Sequence, residues 1–303
     1  MEKPIVNIDS IAAYNGMYGL PVRHPLVTVV DLPAGTQAVN NLTLNYGVYA
    51  IFLKSGGMCS IRYGRKKYDY QEGTVVSFSP GQTVEVAIPA NETPSAVRGL
   101  LFHPDLIFGT PLGEKISSFG FFDYSQMEAL HLSERERGIF IDCLEKIDME
   151  LDVPVDEHSA RVLSANIQLL LEYLHRFYDR QFITRHKVNS EIVAQFERNL
   201  KEVYGGGRCR MDDLPTVAYF ADKANLSAGY FSDLVKKETG VAPKELIVRH
   251  IVDVAKHRLA VSDDDVSEIA YALGFRYPAH FSRTFRRLAG VSPSDFRRAM
   301  EQN

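Results

Sequence analysis

A pattern that occurs twice between residues 205 and 303 leaves this chain few folds to choose from. The first copy reads Ala221, Leu226, Phe231-Ser232, Lys236-Lys237, Gly240 and Pro243. The second reads Ala270, Phe275, Phe281-Ser282, Arg286-Arg287, Gly290 and Pro293. From Phe231 onward the copies are 50 residues apart and upstream of it 49, so the second has one extra residue in its turn. Self-similarity of this kind marks one supersecondary unit used twice.

Each copy reads as a helix, a tight turn and a second helix. In the second copy Val266, Ile269, Ala270 and Leu273 form the apolar face of the first helix, and Gly274 ends it as a left-handed cap. The second helix buries Phe281, Phe285 and Leu288 and turns His280, Arg283, Thr284 and Arg287 outward, with Arg286 at the flank. Ala270 and Ala221 are small because the two helices of a helix-turn-helix cross closely there. An apolar underside beneath an Arg/His/Thr row is what a helix needs to rest on a core and enter a major groove. Between the copies, Pro243 and then Ile247, Ile251, Val254, Ala255 and Leu259 predict a connecting helix. It would be about 17 residues, or roughly 25 Å, long. Such a strut suits two recognition helices about 34 Å apart on one face of a duplex.

The net charge of −4 and pI of 6.2 argue, taken whole, against a nucleic-acid partner. The charge is unevenly spread, however. Residues 205–303 hold 15 Lys and Arg against 13 Asp and Glu, and residues 1–204 hold 19 against 25. Residues 269–298 contain six arginines against Asp295 alone, whereas residues 210–240 have four basic and five acidic side chains. The expected basic footprint therefore belongs to the second copy. At 303 residues, with 45% hydrophobic content, the chain has room for about two domains with cores of their own. Cys59, Cys143 and Cys209, odd in number and without CxxC spacing, fit idle thiols in a reducing compartment. The first ten residues lack the apolar run of a signal peptide, and the longest uncharged stretch, 32–53, is broken by Gln37, Asn40, Asn41 and Asn45. A cytoplasmic chain without a membrane span is expected.

From Pro25 to Pro111 short strands alternate with turns. Thr83–Ile88 alternates apolar and polar residues, Thr74–Phe78 is a β-rich run, and Ser55-Gly56-Gly57 separates Val48–Leu53 from Met58–Tyr63. That spacing predicts a small antiparallel barrel. After Leu132 the period becomes helical. Ser133 and Glu136 make a capping box. A second helix, from about 156 to 182, carries a wide stripe of Val162, Leu163, Ile167, Leu170, Leu171, Leu174 and Phe177. The stripe is covered either by the chain's own barrel or by a second copy. Residues 184–187 read as a polar hinge before another amphipathic helix, and Gly205-Gly206-Gly207 as a loop, since no GK[ST] follows it.

The run Val266-Ser267-Glu268-Ile269-Ala270, Leu273-Gly274-Phe275, His280-Phe281-Ser282-Arg283, Phe285-Arg286-Arg287, Gly290, Ser292-Pro293-Ser294 and Phe296-Arg297 resembles the signature of the AraC/XylS family of bacterial transcription regulators. Ala221-Asp222, Leu226-Ser227, Tyr230-Phe231-Ser232 and Lys236-Lys237-Glu238-Thr239-Gly240 are similar to the family's first helix-turn-helix. The stretch Tyr68–Gly81 resembles the cupin-type barrel these regulators carry in front.

The resemblance implies an α+β multidomain chain with an N-terminal cupin-like antiparallel β-barrel and helices, and a C-terminal all-α double helix-turn-helix. Residues 1–185 would be a sensor and oligomerisation domain with helices at 133–182, 186–204 a linker helix, and 205–303 the DNA-binding domain. Pro278, Ala279 and Arg283 match the family's base-reading row, with Arg276, Tyr277 and His280 beside them. In the first copy the row is Gly229, Ser232 and Asp233, and Ser227, Tyr230, Lys236 and Lys237 would meet the backbone. An arginine is usual where Asp233 stands. A carboxylate accepts only from cytosine N4 and repels phosphate, so the first unit is expected to grip less well.

The implied partners are promoter DNA, RNA polymerase, a small-molecule effector and a homodimer contact, with no membrane. Metal-dependent cupins need an HxH pair, and Asn45–Phe52 has no histidine, while His24 and His103 stand apart. No catalytic residue, cofactor or metal is therefore expected. A cupin-type small-molecule enzyme with a helical tail is the runner-up, and a tail that binds only protein is the third reading. A barrel of this size suits one small ligand, with Phe52, Cys59, Tyr63 and Phe78 either lining it or filling the core.

Overall fold

A computed structural model describes residues 4–36, 42–55, 62–63, 66–67, 73–86, 94–125, 128–205, 209 and 213–301. The chain divides into two units, Met1–Ile183 and Thr184–Asn303.

The first unit contains β1 (Ile5–Ile8), α1 (Ile11–Tyr18), β2 (Val27–Leu32), β3 (Leu42–Tyr46), β4 (Tyr49–Ser55), β5 (Arg62–Tyr63), β6 (Lys66–Lys67), β7 (Thr74–Phe78), β8 (Thr83–Val86) and β9 (Ala96–Phe102). It continues with α2 (Pro104–Ile107), α3 (Pro111–Lys115), β10 (Leu130–His131), α4 (Glu134–Glu150) and α5 (Ser159–Thr184). One sheet has the order β1-β3-β8 and the other β10-β7-β4-β9-β2, while β5 and β6 pair with each other. The larger sheet is antiparallel throughout, but β1 runs parallel to β3, with Ile5 opposite Thr43. Apolar side chains from both sheets meet in one core. Ile8, Leu42 and Leu44 come from the smaller sheet, and Val30, Ala50, Phe52, Val76 and Leu101 from the larger. Gly99 on β9 is required there, because a Cβ would lie 2.3 Å from the Ile51 carbonyl oxygen.

The expected small antiparallel barrel is not confirmed by this arrangement. Among the described residues the strands form separate sheets, none of them closed, and one pairing is parallel. Alternation locates strands but not their partners, and a reading that starts at Pro25 leaves out β1. Helix α1 adds Tyr14 to the core, where its ring lies 5.9 Å from that of Phe52, and the rings of Phe52 and Phe78 are 6.3 Å apart. Both phenylalanines are buried and fill the core. Cys59 and the side chain of Tyr63 lie outside the described residues. His24 and His103 each serve the backbone nearby. His24 Nδ1 accepts from the Leu26 N–H, and His103 Nδ1 from the Asp105 N–H at the start of α2.

The Ser133–Glu136 capping box opens α4 as expected. On α5 the stripe residues Leu163, Ile167, Leu170, Leu171, Leu174 and Phe177 are buried, whereas Val162 is exposed. These residues are thus covered within the chain itself. The segment before α4 supplies part of the cover. Tyr178 stacks on Phe121, and the Gln181 side chain accepts from His131 N–H and donates to Ala129 carbonyl.

The second unit is helical: α6 (His186–Val203), α7 (Val217–Lys223), α8 (Ala228–Thr239), α9 (Pro243–Val261), α10 (Val266–Ala272), α11 (Pro278–Ala289) and α12 (Pro293–Glu301). The 186–204 segment, expected as a linker helix, packs within this unit. Its Phe196 meets Phe220 and Phe231 edge-on at 5.0 and 5.4 Å. Helix α9 has 19 residues, about 28 Å at 1.5 Å each, and it touches α8, α10, α11 and α12.

Candidate nucleic-acid interface

The repeat in the sequence is a repeat in structure. Helix α10 begins 49 residues after α7, and α11 begins 50 after α8, so the extra residue falls in the turn. Both turns need a left-handed residue: Asn225 at φ 55° in the first and Gly274 at φ 87° in the second. Asparagine is one of the few residues with a Cβ that enters this region readily. The chain then closes each turn in the same way, Leu226 N–H donating to Ala221 carbonyl and Phe275 N–H to Ala270 carbonyl. Both alanines are fully buried, as close helix crossing demands. Gly240 and Gly290 end α8 and α11 in left-handed caps.

Beneath α11 lies an aromatic chain. Phe275, Phe281, Phe285 and Phe296 are in ring contact in sequence, with centroids 5.3, 5.8 and 5.6 Å apart. Above it Ala279, His280, Arg283, Arg286 and Arg287 are exposed, Pro278 and Thr284 are half-buried, and Arg276 and Tyr277 stand exposed just before the helix. His280 rests edge-on against Phe275 at 5.5 Å, and Arg283 Nε donates to its own helix at the Ala279 carbonyl, 3.3 Å away. The structure thus gathers all nine residues singled out in the second copy at one helix and the turn before it. Leu288, expected in the core, is half-buried.

The first copy is built differently at two of its seven positions. Tyr230 is 1% exposed and belongs to the core, so its expected backbone contact is corrected. Its counterpart 50 residues on is the exposed His280, and an aromatic ring at that boundary of the helix gains more by burial than an imidazole. Ser227 is the N-cap of α8, its hydroxyl accepting from the Tyr230 N–H, which gives that side chain a structural role. Gly229, Ser232 and Asp233 are half-buried, with Ser232 donating to Ala228 carbonyl, and Lys236 and Lys237 are exposed in the last turn.

Counting charge along the sequence misses how the arginines are engaged. Arg297 donates to the Leu259 and Asp264 carbonyls and ties α12 to the end of α9, so it belongs to the scaffold. Arg298 pairs with Asp295 and Arg276 with Asp213, at 3.5 and 3.8 Å. Arg287 faces Glu245, 3.6 Å away on α9. Asp213 and Glu245 are the residues that sequence reading missed, since neither lies in the arginine-rich segment. Elsewhere in the unit, burial pushes the Tyr204 hydroxyl up and the His250 imidazole down.

A family model described as a helix-turn-helix domain matches residues 220–299. The raffinose operon transcriptional regulatory protein RafR of Pediococcus pentosaceus is 29% identical over 173 residues, 56% of this chain and 59% of that protein. The HTH-type transcriptional activator RhaS of Citrobacter koseri is 38% identical over 81 residues, 27% of this chain and 29% of that protein. The chain thus spans less than two thirds of the length of either relative. The DNA-binding domain of AdpA, solved in complex with a target DNA, is 29% identical with a TM-score of 0.32, covering 38% of this chain and 93% of that one. Residues 220–299 are thus similar to a helix-turn-helix domain.

Proposed function

We propose that this chain is a sequence-specific, non-enzymatic transcription regulator whose two helix-turn-helix units read successive major-groove segments of promoter DNA. The observation that carries the reading is α11 itself, with the phenylalanine chain beneath and Arg283, Arg286 and His280 exposed above. In this reading Arg283 takes a base edge, Pro278 and Ala279 allow close approach, and Lys236, Lys237 and Arg286 meet phosphates. Residues 205–303 are the DNA-binding domain. Residues 1–185 are a cupin-like sensing and oligomerisation domain, where a small ligand or a dimer contact alters how the helix-turn-helix units are presented to DNA and RNA polymerase in the cytoplasm. With Tyr14, Phe52 and Phe78 already filling the space between the sheets, a ligand there would have to displace side chains.

A salt titration of duplex binding by the full chain tests the reading. Affinity is expected to fall linearly in log–log form, with a slope of about −0.9 for each phosphate neutralised. Lys237→Ala should weaken binding to every duplex about equally and reduce the slope by about 1. Salt-independent association, or none, would remove DNA as the partner.

A further inference from the structure

A carboxylate links α9, the helix between the two recognition helices, to the second of them. Glu245 stands in the first turn of α9, five residues beyond the glycine that ends α8. One oxygen, Oε1, accepts from Arg249 Nε at 3.2 Å, one turn further along α9. The other, Oε2, lies 3.6 Å from Nη1 of Arg287, in the last turn of α11. The Glu245 side chain is 31% exposed, whereas Arg249 and Arg287 are 55% and 58% exposed. The anion is thus the most sheltered member of the trio, with a guanidinium on either side. A carboxylate and a phosphate oxygen make the same demand on a guanidinium, namely charge-assisted acceptance of its N–H groups. Arg287 cannot give its Nη1 fully to both.

On the reading of α11 as the helix that faces the duplex, we infer that Glu245 acts as an internal competitor for the DNA backbone, occupying Arg287 in the free protein. Binding then exchanges one acceptor for another at Arg287 and gains less than a free arginine would. The effect is independent of base sequence, so it lowers affinity for specific and random duplex alike. Glu245 therefore tunes the backbone share of the affinity and need not touch DNA. Arg249, which stays with Glu245 in both states, keeps the carboxylate from being left without a partner.

The experiment compares the full chain with its Glu245→Gln variant on a random-sequence duplex across a range of salt concentrations. Glutamine keeps the size and the acceptor for Arg249 but loses the charge. The variant is expected to bind several-fold more tightly at moderate salt, with a slope of log affinity on log salt steeper by about 0.9. In an Arg287→Ala background the same substitution should leave the slope nearly unchanged. An unaltered slope in the single variant overturns the proposal, as does an equal steepening without Arg287, which would mean that the charge acts at long range. If the unmodified chain shows no salt-dependent duplex binding, the DNA reading itself fails and this inference falls with it. Circular dichroism of each variant separates loss of fold from loss of competition.

Discussion

Replacing Phe281 by alanine should cost the second unit about 3–5 kcal/mol, enough to abolish duplex binding without touching an exposed residue. Phe281 is fully buried, and its ring is the second of four in a contact chain running from Phe275 through Phe285 to Phe296. Phe275 closes the turn after α10, and Phe296 belongs to α12. The cavity left by the ring would therefore loosen the turn and the recognition helix together. At about 1.4 kcal/mol per factor of ten, the ratio of folded to unfolded unit falls by roughly two to three and a half orders of magnitude. The chain has no tryptophan, so the transition is best followed by circular dichroism during urea unfolding. The midpoint for the helical unit should move to markedly lower denaturant. An unmoved midpoint would mean that the ring is not the support on which α11 rests.

Arg283→Ala should do the opposite, leaving the fold intact and changing what is read. The side chain is exposed, and such changes seldom move stability by more than about 0.5 kcal/mol. Its Nε is used within the helix, toward the Ala279 carbonyl, which steadies the guanidinium while Nη1 and Nη2 present two donors. A bidentate arginine on guanine O6 and N7 contributes about 1–3 kcal/mol of discrimination, or roughly 5- to 150-fold in affinity. Loss of preference at one base pair, with the rest of the site unchanged, is the expected result in a competition series of single-base variants. A protein that kept both its affinity and its full preference would place the reading surface elsewhere in the unit.

Much of the second unit was legible because a repeat states its own register. The 49- and 50-residue offsets, the small Ala221 and Ala270 and the glycines at 240, 274 and 290 reappear as helix starts, crossings and caps. Asn225 fills the place that Gly274 fills in the second copy, and only the left-handed φ makes the two equivalent. Tyr230 was not legible, since a position one residue before Phe231 lies on the edge of the helix and the ring can turn either way. Nor were the partners of the arginines. Glu245 is 42 residues from Arg287 and Asp213 is 63 from Arg276, so a local charge count over 269–298 overstates the free positive charge.

In the first unit the strands were more legible than their pairing. Thr74–Phe78 is a strand over its expected residues, and Tyr49–Ser55 is shifted by one or two from Val48–Leu53. Alternation says which face a side chain takes but not which strand lies alongside, and the parallel docking of β1 on β3 comes from residues some 38 positions apart. The α5 stripe had two possible covers, and burial of its leucines within the chain means that no second copy is needed over them.

The most direct test is selection of bound sequences from a random duplex library with the full chain. The doubled helix-turn-helix, with the second unit proposed as the stronger, predicts two recurrent elements centred about one helical turn, or roughly 10 base pairs, apart. The element read by α11 should be the more sharply defined, and in the Arg283→Ala protein it alone should lose definition, at one position. Recovery of no enriched sequence, or of elements whose definition is unaffected by Arg283, would contradict the assignment of α11 as the helix that reads DNA.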